Sequence, residues 1–121
     1  MKVKTFYPVF ITTDPNGMIE TMESFGFEQA HKKMDISDHH NTNTVLKDGN
    51  GNHVDVVSST VVPHTLVAIR VNVEDYEDAV AELAAKGYEN RRPDGVGTPS
   101  SLSTMMVSPD GVMYLICEHI K

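Results

Sequence analysis

The sequence predicts an α+β fold in which one βαβββ unit is written twice, giving two half-sheets that enclose a cavity. Three observations carry this: an internal repeat, a strand–Asp–helix–Gly pattern at the head of each copy, and a glycine-turned hairpin at each tail. Shifted by half its length, the chain aligns Asp14 with Asp75, Gly26 with Gly87, Phe27 with Tyr88 and Glu28 with Glu89 without a gap. The apolar stripe is kept too, because Ile19 falls on Val80 and Met22 on Leu83. With the alignment slipped by one residue, Thr44-Val45-Leu46 meets Thr104-Met105-Met106, and Gly51 meets Gly111. A period near half the chain length marks two copies of one supersecondary unit. The expectation is a single domain over 1–121, with module one at 1–58, a linker at 59–63 and module two at 64–121.

Each copy opens with a β-rich run, Thr5 to Thr13 and Thr65 to Val73. In the second run Val67, Ile69, Val71 and Val73 point one way, and Leu66, Ala68, Arg70 and Asn72 the other. A helix follows. Asp75 is its N-cap, Tyr76, Ala79, Val80, Leu83 and Ala84 mark the apolar face, and Gly87 stops it. In the first copy Asp14 caps, Pro15 takes the first helical position, Ile19, Met22 and Phe25 face inward, and Gly26 is the stop. Gly17 weakens that first turn. Extended pieces are expected at Gln29–Ile36, Asn43–Lys47 and Asn52–Ser58, around the turn Asp48-Gly49-Asn50-Gly51. Their counterparts are Tyr88–Arg92, a loose stretch from Pro93 to Pro99, Leu102–Val107 and Val112–Glu118, the last two around Pro109-Asp110-Gly111.

Composition narrows the function. At 121 residues there is room for one core that buries roughly two-thirds of the unfolded surface. A net charge of −7 argues against a nucleic-acid partner, whose phosphates need a basic surface. No apolar run reaches membrane-helix length and the first residues lack a signal-peptide core, so no membrane partner is expected. The single cysteine, Cys117, excludes an internal disulfide and fits a reducing, cytoplasmic compartment.

A tandem βαβββ repeat of this kind resembles the vicinal oxygen chelate superfamily, which includes glyoxalase I, the bleomycin resistance proteins and extradiol dioxygenases. The likeness is carried by Val9-Phe10-Ile11-Thr12-Thr13-Asp14 leading to Phe25-Gly26-Phe27-Glu28. It recurs in Ile69-Arg70-Val71-Asn72-Val73-Glu74-Asp75 leading to Ala85-Lys86-Gly87-Tyr88-Glu89, and closes on Ser108-Pro109-Asp110-Gly111-Val112-Met113-Tyr114-Leu115. The resemblance implies that metal-using members draw one ligand from the first and last strand of each copy, usually His or Gln, Glu, His and Glu. Counted from the capping Asp and the hairpin Gly, those positions are Tyr7, Ala68, Asp55 and Leu115. Ala68 and Leu115 have no donor atom, and a tyrosine phenol stays protonated at neutral pH. Asp55 alone is a natural carboxylate ligand, too few for a first-row metal. The site is therefore read as metal-free and without a cofactor.

The same resemblance implies that the ligand-facing wall comprises Tyr7, Val9, His53, Asp55, Ala68, Arg70, Asn72, Met113 and Leu115. A guanidinium on such a wall needs a partner. Arg70 is read either as paired with Asp55, fixing the cavity's shape, or as a clamp for a ligand carboxylate or phosphate. Met105, Met106, Met113 and Leu115 are read as a soft apolar inner surface, and Cys117 as a small buried apolar group. His53 shares the strand face of Asp55, but neighbours at i and i+2 seldom meet, so a working Asp–His pair is not expected. His31, His64 and His119 read as surface residues, and His39 and His40 as a solvated loop tip or a loop over the cavity mouth. Arg91, Arg92 and the stretch from Pro93 to Gly97 read as a basic surface loop or rim.

Three functions are left. The preferred one is a metal-free module that binds or sequesters a small molecule; the others are a metal-dependent lyase, isomerase or dioxygenase, and an interaction protein whose cavity is filled. A homodimer is expected, because half-sheet edges call for cover and the family pairs its modules within or across chains.

Overall fold

The computed structural model describes residues 1–34, 42–60, 62, 64–91, 96–98 and 101–119. In chain order the elements are β1 (Val3–Thr12), α1 (Pro15–Ser24), β2 (Glu28–Met34), β3 (Thr42–Lys47), β4 (His53–Ser58), β5 (Leu66–Val73), α2 (Tyr76–Ala85), β6 (Glu89–Asn90), β7 (Val96–Thr98), β8 (Ser101–Val107) and β9 (Met113–His119). The fold is α+β and repeats βαβββ, with the short β7 added to the second copy. That addition corrects the expected loose stretch: Val96, Gly97 and Thr98 pair with Ser103, Leu102 and Ser101 on β8. The strand expected over Tyr88–Arg92 shrinks to Glu89–Asn90, paired with Val107 and Met106.

The chain divides into two compact units, Tyr7–Val67 and Met1–Phe6 with Ala68–Lys121. Strand β1 thus begins in one unit and continues in the other. In the Tyr7–Val67 unit β2 runs antiparallel to β3, β3 antiparallel to β4, and β4 parallel to β1, with Val9 beside Asp55. In the other unit β6 and β7 run antiparallel to β8, β8 antiparallel to β9, and β9 parallel to β5, with Arg70 beside Leu115.

Each helix covers one face of its own strands. Ile19 and Met22 of α1 pack on Leu46, Val54 and Val56, joined by Phe10 and Phe27. In the other unit Ala79, Val80 and Leu83 of α2 pack with Val71, Val73, Met106 and Ile116. Leu46, Val56 and Met106 are fully buried, and burial on this scale supplies most of the driving force for a unit of this size. Phe25, expected to face inward, is instead exposed at the C-cap of α1. It sits in the turn after the last helical residue, where the stripe no longer points at the sheet.

The helix ends follow the sequence. Asp14 accepts a hydrogen bond from the Gly17 amide at 3.1 Å, and Asp75 from the Asp78 amide at 3.0 Å. Glu118 on β9 adds a second acceptor for α2, taking the Tyr76 amide at 2.7 Å. Gly26 and Gly87 leave the helices with φ of 99° and 91°, which only glycine adopts cheaply. Gly17 has a use the sequence hides: a Cβ there would collide with the Asp14 carboxylate that caps the helix.

Candidate functional site

Strand alternation decides which side chains lie opposite the helices. In the Tyr7–Val67 unit Phe10, Val54 and Val56 take the helix side, which leaves Tyr7, Val9, His53 and Asp55 on the other face. Two residues before Val9 and Asp55, which pair across the parallel strands, Tyr7 and His53 also meet. The two rings stack with centroids 3.8 Å apart and planes 11° from parallel. His53 Nε2 lies 2.8 Å from Asp55 Oδ1. Asp55 is 1% exposed, while the His53 side chain keeps 26% of its surface in solvent.

This overturns the expectation that His53 and Asp55 would not meet. Same-face residues two apart on a strand stand roughly 6–7 Å apart at Cβ. The imidazole spans that gap by leaning along the strand, a posture the Tyr7 ring supports from β1. Burial of the carboxylate supplies the motive, since a charge removed from water needs a hydrogen-bonding partner.

In the other unit Ala68, Arg70 and Asn72 of β5 share the face opposite α2, and Met113, Leu115 and Cys117 share it on β9. Arg70 Nη1 points at Cys117 Sγ, 3.8 Å away, so Cys117, 4% exposed, is a buried group with a cationic neighbour rather than a purely apolar one. Asn72 donates from Nδ2 to Thr5 Oγ1; its buried Oδ1 has no hydrogen-bond partner among the described residues. Met105 lies beside Leu115 on this face. Met106 does not: it is fully buried under α2, correcting the reading that put Met105 and Met106 on one surface. Adjacent strand residues point apart.

Of the remaining histidines, His64 and His119 are exposed as expected. His39, His40 and Arg92 lie outside the described residues, as do residues 93–95 and 99 of the expected loose stretch and the side chain of His31. Arg91 is exposed and pairs with Glu89 at 3.0 Å.

The metal chemistry implied by the resemblance is tested by the donors present. Ala68 and Leu115 offer none, and Asp55 directs Oδ1 to His53. Among the described residues no three His, Cys, Asp or Glu side chains gather as a metal centre would need. The residues do not fit a divalent ion at the expected place.

No protein-family model matches this chain, and no curated protein does. Solved structures do. A hypothetical protein of Bacillus halodurans C-125 superposes with a TM-score of 0.73 at 15% identity, over 100% of this chain and 97% of the other. A glyoxalase/bleomycin resistance protein/dioxygenase superfamily member from Vibrio splendidus 12B01 gives 0.59 at 17% identity, over 97% and 99%. Methylmalonyl-CoA epimerase from Mycobacterium tuberculosis gives 0.69 at 12% identity, over 99% and 89%. Among the described residues no helix is long and apolar enough to cross a membrane. Identities this low establish architecture alone, and the chain has the fold of the vicinal oxygen chelate superfamily, shared by the glyoxalase/bleomycin resistance proteins and the methylmalonyl-CoA epimerases.

Proposed function

We propose that this protein is a small-molecule binding module that recognises its ligand through side chains rather than through a metal ion. The carrying observation is the interlocked trio Tyr7, His53 and Asp55. It presents a flat aromatic surface and a polar edge, held in place before any ligand arrives. Preformed sites of this mixed character are what small-molecule recognition uses, since a ligand then orders few side chains on binding. The donor-free Ala68 and Leu115 support the metal-free part of the reading. The fold supports the small-molecule part, because the epimerases that share it are named for a coenzyme A thioester.

Arg70 and Asn72 offer a guanidinium and an amide on the corresponding face of their own unit, chemistry suited to a carboxylate or phosphate. Val9 adds apolar surface beside the trio in its own unit, and Ala68, Met113 and Leu115 add it beside Arg70 in theirs. The protein is proposed to act as a homodimer, for which light scattering is the direct measurement.

Elemental analysis of the purified protein tests the metal-free reading. Zinc, nickel, manganese and iron are expected well below one per chain. A stoichiometric metal that disappears in Asp55→Ala overturns it. A thermal-shift screen of small organic acids and aromatics tests the binding. Ligands that stabilise the protein are expected to lose their effect in Tyr7→Ala and His53→Ala, and an unchanged shift in both would move the site elsewhere.

A further inference from the structure

The His53 ring is constrained at three points. Its Nε2 faces a carboxylate, one ring face lies on Tyr7, and its Cα is fixed in β4. A carboxylate can only accept, so Nε2 carries the hydrogen, and the neutral ring is left with a bare lone pair on Nδ1. Stacking against Tyr7 resists rotation of the imidazole and so holds the direction of that lone pair. No other described residue bonds the ring, and its partial exposure leaves it open to a small molecule.

We infer that His53 is a proton acceptor for a weakly acidic hydroxyl of the bound molecule, of the enol or phenol class, with Asp55 as the positioning residue that sets its tautomer. In the step itself the O–H bond breaks, its electron pair stays on oxygen, and a new N–H bond forms at Nδ1. The resulting imidazolium is balanced by the Asp55 carboxylate. Return of the same proton from Nδ1 to that oxygen as the molecule leaves restores both partners, so no oxidant or second reactant enters. An enol or phenol suits an imidazole base better than an aliphatic alcohol, because its more acidic hydroxyl gives up the proton with the smaller uphill step. Its substrate rests on the proposed small-molecule binding, whereas the tautomer and its reactivity rest on the geometry alone.

The test therefore uses the full chain without its natural ligand. Nitrogen-15 NMR of the imidazoles is expected to show His53 in the Nε2–H form with Nδ1 unprotonated in the neutral ring. Asp55→Asn is expected to remove that preference while the fold is retained. The probe p-nitrophenyl acetate reads the same lone pair, because Nδ1 attacks its carbonyl carbon and p-nitrophenolate leaves. His53→Gln is expected to slow that release about a hundredfold relative to the wild type, and Asp55→Asn by a similar factor, the lower end of what a positioned acid–base group contributes. If Asp55→Asn does not fold, the wild-type tautomer and His53→Gln still decide. A His53 ring in the Nδ1–H form, or a rate unchanged in His53→Gln, overturns the inference. Neither result touches the small-molecule reading, which the thermal-shift screen decides.

Discussion

The two units are built on one plan and differ on one side of it. On the helix side they match: an aspartate caps each helix, a left-handed glycine ends it, and Ile19 and Met22 have their counterparts in Val80 and Leu83. On the opposite face they part. Tyr7 is matched by Ala68, Val9 by Arg70, His53 by Met113 and Asp55 by Leu115, so one unit carries an aromatic–imidazole–carboxylate trio and the other a guanidinium over apolar groups. Close packing explains the contrast. A core seat tolerates little change of volume or polarity, while a face not spoken for by a helix is free to diverge.

The comparison can be broken first at the cores. Leu46→Ala and Ile116→Ala each remove a fully buried branched side chain beneath a helix, and each is expected to cost about 3 kcal/mol in urea unfolding. A loss several-fold smaller in one would show that the helix-side equivalence is only formal. Asp55→Ala comes next, at about 2 kcal/mol, because it strips a buried acceptor from His53.

Gly26→Ala and Gly87→Ala are expected to cost about 1 kcal/mol each, since both force a Cβ into the left-handed region. A Cβ would meet open space at Gly26 and only an ordinary contact with Pro109, at 3.5 Å, at Gly87, so the backbone and not a clash is the cause. Gly17→Ala tests where the helices differ. Elsewhere in a helix this change stabilises by about 1 kcal/mol; here the new methyl displaces the Asp14 cap, so no gain in melting temperature is expected.

The smallest effect is on pH dependence, at the two hairpins. The side chain and backbone amides of Asn52 hold the Asp48 carboxyl below the usual carboxylate range, and the Ser108 hydroxyl does the same for Asp110. A carboxyl depressed in the folded state contributes stability above its unfolded value, and that contribution fades as pH falls through the folded one. Asp48→Asn and Asp110→Asn are each expected to flatten the acid limb of the melting curve slightly. An alkaline effect would contradict the assignment.

The repeat made the helix side readable. Asp14, Gly26, Asp75 and Gly87 act through local backbone geometry, and Phe10, Leu46, Val71 and Ile116 through alternation, so their roles follow from neighbours a few residues away. Met106 departs from Met105 because alternation, not chemistry, assigns its face, and the use of Gly17 is hidden in the sequence because it lies in room for another side chain. The site was legible only in part. The resemblance pointed to candidate residues on β1 and β4, yet whether Tyr7, His53 and Asp55 touch depends on the parallel pairing of β1 with β4 and on rotamers. By itself, then, the sequence determined the α+β repeat, its caps and turns and the donor-poor character of Ala68 and Leu115. Only the tertiary structure decided that His53 leans onto Asp55 beneath Tyr7, because that contact is settled by strand register and by the burial of a charge, neither of which is local in the chain.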